Sequence, residues 1–330
     1  MRRTPPAMPP VSTVHTLIEN AAARLARARL AHGHGIPTAW DEAAYLVLHV
    51  LKLPPDLLTP YLDRTVVPRD AARVNELVAE RIRRRVPVAY LTHEAWLGED
   101  RFYVDERVIV PRSYIAELLR ERIAPWLPPR RRIRRALDLC TGSGCLAIVL
   151  AKTYAGAQID AVDIDRGALA VARRNVAAYR LQPRIRLLHS DMFAAVRDER
   201  YDLIIANPPY VSADTMRKLP REYRHEPAIA LASGKDGLDA VRGILHEAAA
   251  HLTANGLLVV EVGHHRGRVE RAFTRHPFAW PQTSGGDDCV FILGCGDLAR
   301  AAAQATALPV RGPAPARRRA SRAAASSRRP

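Results

Sequence analysis

The chain has 330 residues, 48% of them hydrophobic, and a formal net charge of +16. That is enough apolar material for a full core and two domains, and no apolar run approaches the roughly 18 residues that a membrane span needs. The N-terminus, Met1-Arg2-Arg3-Thr4-Pro5-Pro6, lacks the apolar stretch of a secretory signal, so a soluble, cytoplasmic protein is expected.

Residues 1–13 read as a disordered N-terminus, and 14–92 as a helical domain. Apolar positions recur at helical spacing over 23–30 and 41–48. Thr38 or Asp41 is suited to cap the second of these helices, and Pro54-Pro55 to stop it. A third helix is expected from about Arg69 to Arg85. Val74, Leu77, Val78 and Ile82 make its apolar stripe, with arginines opposite. Short strands follow at 90–91, 95–97 and 101–110, with a hairpin turning at Gly98-Glu99-Asp100. They make a β connector over 93–113.

From 114 to 296 strands alternate with helices. The strands fall at 136–140, 157–162, 185–189, 201–206, 256–262 and 288–293, with a weak one near 277–281. Helices are expected near 144–154, 167–180, 236–252 and 265–275. Such alternation predicts an α/β domain with a mostly parallel sheet covered on both faces. Residues 297–330 form a basic tail, with eight arginines and no acid over 299–330. Its Ala/Pro/Ser/Arg composition reads as disordered. Two roles stay open for it: salt-sensitive contact with rRNA or a ribosome surface, or a solubilising extension. The four cysteines (140, 145, 289, 295) show no Cys-x-x-Cys spacing. They read as buried free thiols, and no metal site is expected.

Two stretches carry chemistry. The first, Ala136 to Ala147, is a strand, a glycine loop and a helix start. Gly142 and Gly144 let the backbone approach a ligand, and the helix N-terminus offers free N–H groups. Cys140, Thr141 and Ser143 complete that loop. Glycines at this spacing also fit a dinucleotide fingerprint. Asp138, inside the strand end, discriminates: its carboxylate would repel a pyrophosphate but suits a cationic amino-acid end. Asp163 ends the next strand, placed for ribose hydroxyls. Asp191 ends the third, placed for an adenine amine with Met192 packed on the ring. Each acid alone reads equally well as a helix N-cap or turn residue; the set of three favours a nucleoside cofactor, and S-adenosyl-L-methionine, with an ammonium, a sulfonium and no phosphate, fits it. Asp160 points to the opposite face by alternation and reads as a surface residue.

The second stretch is Asn207-Pro208-Pro209-Tyr210, at the end of the apolar strand 201–206. Neither proline has an N–H, so the corner offers acceptors and almost no donors. Pro209 holds Pro208 extended, which aims the Pro208 carbonyl. With the Asn207 side-chain oxygen it makes a pair of acceptors suited to a planar –NH2 group, and Tyr210 supplies an aromatic wall. An amide and an exocyclic amine both remain open as guests.

On these residues the chain resembles the class I S-adenosylmethionine-dependent methyltransferases. With the helical N-terminal module and the connector ending Val110-Pro111-Arg112, it resembles more narrowly the protein-glutamine N-methyltransferases, over about residues 14–295. The resemblance implies a Rossmann-like, seven-stranded sheet and methylation of a glutamine amide nitrogen. Residues 87–92, 102–113 and Glu222 to Pro227 look like the branch acting on large-subunit ribosomal protein three. The release-factor branch reads differently where this chain has Pro111 to Ala116, and Tyr114 is unusual for either branch. For Glu222, Arg224, His225 and Glu226 two readings stand: recognition of the substrate protein, or a loop held by its own ion pairs. Rival readings are a release-factor glutamine methyltransferase, a nucleic-acid adenine methyltransferase that flips its base, and a nonenzymatic ribosome-assembly factor.

Overall fold

The computed structural model describes residues 12–33, 35–54, 57–128 and 130–306. Four helices come first: α1 (Val14–Arg27), α2 (Ala39–Leu51), α3 (Pro68–Arg84) and α4 (Val88–Thr92). Thr13 caps α1 in a reciprocal box, its Oγ1 accepting from Thr16 N at 3.2 Å while Thr16 Oγ1 accepts from Thr13 N at 2.9 Å. Thr38 rather than Asp41 caps α2; its Oγ1 accepts from Asp41 N at 3.1 Å. Pro55, half of the expected stop, lies outside the described residues.

Ile18 and Leu25 of α1, Leu46 and Val47 of α2, and Val74 and Val78 of α3 share one apolar cluster. Each such side chain contributes about 1.5–3 kcal/mol when fully buried. Packing is what holds these helices, since isolated helices of this length are marginal in water. Within the α3 stripe lies Arg81, 0% exposed. Its guanidinium donates to both Glu42 carboxylate oxygens, at 2.9 and 3.2 Å, and to the Ala31 carbonyl.

A short hairpin follows, β1 (Ala95–Leu97) and β2 (Asp100–Phe102), pairing Leu97 with Asp100. The extended run expected to reach 110 is strand only as far as Phe102. After α5 (Ile115–Arg120) come β3 (Arg135–Leu139), α6 (Cys145–Thr153), β4 (Gln158–Asp163), α7 (Arg166–Ala178), β5 (Ile185–His189) and β6 (Tyr201–Ala206). The chain continues through α8 (Ala213–Lys218), α9 (Asp239–Glu247), β7 (Leu252–Glu261), α10 (Arg266–Ala272), β8 (Val290–Gly294) and α11 (Cys295–Thr306).

The main sheet runs β5-β4-β3-β6-β7-β8, with only β7–β8 antiparallel. Both faces are apolar: Leu203 and Ile205 of β6 join one core cluster, Ile204 and Ala206 the other. The weak strand near 277–281 is reduced to a single bridge, Ala279 with Ile292. Pro277 and Pro281 flank it and cannot donate to a ladder. Six strands plus this bridge therefore stand, among the described residues, where seven strands are expected.

Two further expectations need correction. Asp160 is not a surface residue but 5% exposed, because the opposite face of the sheet is covered as well. Its carboxylate accepts from Arg186 at 2.7 and 2.9 Å, from Tyr201 Oη at 2.7 Å and from Arg135 at 3.2 Å. Nor does a disordered tail begin at 297: α11 continues to Thr306 and buries Leu298 and Ala301. Residues 1–11 and 307–330, which hold most of the expected disordered ends, lie outside the described residues. No helix among the described residues is long and apolar enough to cross a membrane.

Candidate active site

Strand register assembles the site. Leu139 of β3 pairs with Val162 of β4 and with Ala206 of β6, and Asp163 pairs with His189 of β5. Four strands thus end on one level. The chain steps outward from β3 to β5, then returns as β6 on the other side of β3. A crevice opens at that switch point, the place where open α/β sheets bind ligands. The cleft there measures about 710 Å³ and is lined by Cys140, Gly142, Asp163, Asp191, Met192, Asn207 and Pro209.

Asp138, Thr141, Ser143 and Gly144 are not on its surface; they build the loop from beneath. Asp138 is fully buried, and its Oδ2 accepts from Thr141 Oγ1 at 2.5 Å. Its Oδ1 is enclosed with no hydrogen-bond partner. Burial pushes the carboxyl pKa up to about 7, against the pull of the Thr141 hydroxyl. The Ser143 carbonyl accepts from Asn175 Nδ2 at 2.9 Å, and the same amide pairs with the Tyr103 backbone. Asn175 on α7, which the sequence did not single out, therefore ties loop, helix and connector together.

The two glycines have different tasks. Both sit in the left-handed region, at φ of +54° and +79°. A Cβ on Gly142 would meet nothing within 4 Å, so its open side faces the cleft. A Cβ on Gly144 would press on Ala172 Cβ at 3.2 Å and its Cα at 3.3 Å. Gly144 serves the packing of α6 on α7 rather than ligand approach. Gly144→Ala is thus expected to lower stability by roughly 1–3 kcal/mol, read as a drop in Tm. Gly142→Ala carries similar backbone strain but should in addition weaken binding of a cleft ligand, measured by calorimetry.

Asp163 lines the cleft while its carboxylate supports the loop, accepting from Gly142 N at 2.8 Å and Asp165 N at 2.9 Å. Its pKa is raised, chiefly by burial. Asp191 is exposed at the rim. Met192 is held at φ of 42°, where its carbonyl accepts from Ser190 Oγ at 2.9 Å. Ile164, an apolar side chain left 48% exposed, lines the cleft beside Asp163, as does Arg107. Sequence reasoning named neither, although an apolar residue directly after a strand-end acid was a readable signal for a ring-packing surface.

Asn207 lines the cleft and also a small hollow of about 20 Å³ on the other side. Arg112, Pro208 and Tyr210 line that hollow, not the cleft. Tyr210 is wedged so closely that a Cβ on Gly263 would lie 3.0 Å from its ring, and His265 meets it edge-on at 6.2 Å.

The loop after the motif is not held by ion pairs of its own. Glu222 is 0% exposed, and it accepts from Arg85 at 2.7 Å and from Ala31 N at 3.1 Å. Glu226 accepts from Arg112 at 2.5 and 2.8 Å and from Val110 N at 3.0 Å. Helical module and connector are both clamped to the segment behind Asn207. His225 faces the Arg84 carbonyl, at 3.2 Å, and does not line the cleft. On the far side Glu261 accepts from Ser113 Oγ at 2.5 Å and Tyr114 N at 2.9 Å, and burial raises its pKa to about 7.

Residues 17–92 match the PrmC N-terminal domain model, and residues 120–222 match the methyltransferase small domain. The ribosomal protein uL3 glutamine methyltransferase of Bordetella pertussis is 52% identical over 283 residues, covering 86% of this chain and 95% of that protein. The chain belongs to the uL3 glutamine methyltransferase family. The member from Neisseria meningitidis serogroup B is 51% identical, over 86% of this chain and 93% of that protein. Among solved structures, ribosomal protein L11 methylase of Lactobacillus delbrueckii subsp. bulgaricus is 22% identical, with a TM-score of 0.38 over 55% of this chain and 77% of that one. The match to the methyltransferase small domain and the sheet order make this a class I methyltransferase fold, preceded by the helical module.

Proposed function

We propose that this chain transfers a methyl group from S-adenosyl-L-methionine to the side-chain amide nitrogen of a glutamine on uL3. The observation that carries this reading is the position of Asn207, between a large cleft fit for a nucleoside and a narrow hollow walled by Pro208 and Tyr210.

The residues present fit the donor. Asp138 Oδ1 is a buried acceptor with no partner, suited to a cationic ligand end, and Gly142 of the same loop opens on the cleft. Asp163 would hold ribose hydroxyls, while Asp191, Met192 and Ile164 would receive the adenine. A pyrophosphate is disfavoured beside Asp138 and Asp163. When bound, the donor supplies an electrophilic methyl group on a sulfonium.

The rest falls to this chain's own groups. An amide nitrogen is a poor nucleophile, since its lone pair is shared with the carbonyl, so alignment dominates. The Asn207 side-chain oxygen and the Pro208 carbonyl accept the two amide N–H groups and turn the nitrogen toward the cleft. Positioning of this kind is worth roughly 7–11 kcal/mol in well-oriented systems. The same acceptors stabilise positive charge as it builds on nitrogen. Tyr210, at the edge of this corner, would pack against the glutamine side chain. The proton leaves after transfer, so no strong base is required.

A modifier of a ribosomal protein works in the cytoplasm, and the arginine-rich sequence of residues 307–330 brings positive charge suited to rRNA. Incubation with methyl-labelled donor and either purified uL3 or RNA tests the reading. Mass spectrometry should place one methyl group on a uL3 glutamine. Label in RNA with none in uL3 would overturn it.

A pH signature follows from the buried acid. Asp138 is shifted from 3.8 to about 7 and Glu261 from 4.5 to about 7. Between those values the folded state keeps protons that the unfolded chain has released, so stability falls as pH rises through the window. The Tm of the ligand-free protein should therefore fall between pH ~4 and ~7, less steeply in Asp138→Asn. Binding a cationic end beside Asp138 favours its charged form, so donor affinity should rise over the same range. An affinity flat with pH would separate Asp138 from the donor site.

A further inference from the structure

We propose that His264, Asp288 and Cys289 form a binding site for a borderline divalent cation, with Zn2+ the best match. Nothing in the methyl-transfer chemistry uses these side chains. They meet where the loop after β7 passes the start of β8, and Val262 N donates to the Cys289 carbonyl at 2.8 Å to hold the two segments together.

The three ligand atoms form a triangle. His264 Nδ1 lies 3.0 Å from Asp288 Oδ1 and 3.5 Å from Cys289 Sγ, and that sulfur lies 3.3 Å from Asp288 Oδ1. Tetrahedral zinc with its usual bond lengths to sulfur, nitrogen and oxygen has ligand–ligand edges of about 3.3–3.6 Å. Two edges already match, and the third needs to open by a few tenths of an ångström. Nitrogen, sulfur and oxygen together suit Zn2+ and disfavour Mg2+ or Ca2+, which take oxygen. Among the described residues this is the one His/Cys/Asp/Glu group with ligand atoms so gathered.

Burial is graded in the way an open site requires. Cys289 is buried, while the His264 and Asp288 side chains are 65% and 37% exposed. The sulfur forms the floor and solvent reaches the opposite side, leaving the fourth position to water. On binding, the thiol gives its proton to solvent and the thiolate bonds to the metal; no redox change is involved.

The location gives the site a structural role. His264 lies between Gly263, on which the Tyr210 ring is wedged, and His265, which meets that ring edge-on. A metal joining His264 to β8 would fix the wall behind Tyr210. Spacing hid the trio from sequence reasoning, since His264 precedes Asp288 by 24 residues.

The test uses the full-length protein, stripped with chelator and titrated with Zn2+, then with Co2+ as a spectroscopic probe. One equivalent should bind at micromolar or lower concentration, with a rise in Tm. Cobalt should give the intense visible bands of a tetrahedral site and a thiolate charge-transfer band in the near ultraviolet. His264→Ala, at an exposed position, should weaken binding at least tenfold and abolish the Tm rise. Cys289→Ser should remove the charge-transfer band. No stoichiometric binding to the wild type would overturn the proposal. So would binding that His264→Ala leaves unchanged, which would mark an adventitious site elsewhere. Neither outcome bears on methylation of uL3.

Discussion

Asn207→Ala should lower turnover on uL3 by roughly 10²–10³-fold, the usual cost of losing one preorganised polar contact to a transition state. Donor affinity should change little, because the cleft keeps Gly142, Asp163, Asp191 and Met192. Calorimetry with the donor and single-turnover methylation of uL3 separate the two quantities. The mechanism makes a finer claim as well. Asn207→Asp keeps an oxygen at the same reach and should retain more activity than Asn207→Ala. If alanine and aspartate variants were both near wild type, Asn207 would not be orienting the amide, and the acceptor pair would lose its role.

Glu226→Ala should give the largest loss of stability at the site. The carboxylate is 0% exposed at its side chain and takes two bonds from Arg112 and one from the Val110 N–H. Removing one partner of a buried pair typically costs about 3–5 kcal/mol, because the other charge is left uncompensated. Arg112 keeps 28% side-chain exposure, so the lower end applies. Urea denaturation should show a lower midpoint with an unchanged slope. Arg112 also lines the hollow beside Asn207, so KM for uL3 should rise even where the variant is fully folded. A destabilised enzyme with wild-type kinetics would confine the pair to a structural role.

Much of the candidate site was legible from sequence because its signals are local. A glycine loop after an apolar strand, acids at three successive strand ends and a donor-free proline corner each declare themselves within a few residues. Register then does the rest, since the Leu139–Ala206 pairing brings the glycine loop beside Asn207. What the sequence hid was long-range. Arg81 looked like part of an arginine-rich helix, yet it is buried against Glu42, 39 residues earlier. Glu222 and Glu226 looked like neighbours in a self-sufficient loop, yet their partners are Arg85 and Arg112. Asp138 read as a strand-end acid suited to a cationic ligand, and the sequence did not show that it is enclosed beneath the loop. Burial on both sheet faces likewise turned Asp160 from an expected surface acid into the centre of an ion cluster. A charged residue in a sequence announces its charge but not its depth.

The clamp made by Glu222 and Glu226 also bears on how such proteins can be recombined. Glu222 reaches Ala31, Arg81 and Arg85 in the helical module, and Glu226 reaches the connector. A chimera that took its first 112 residues from a relative with a different partner set would inherit half of each pair. The module and the stretch from 222 to 226 should thus be exchanged as one unit, although Arg112 and Glu226 lie 114 positions apart in the chain, and domain shuffling that respects only contiguous boundaries should yield proteins that fail to align the corner at Asn207.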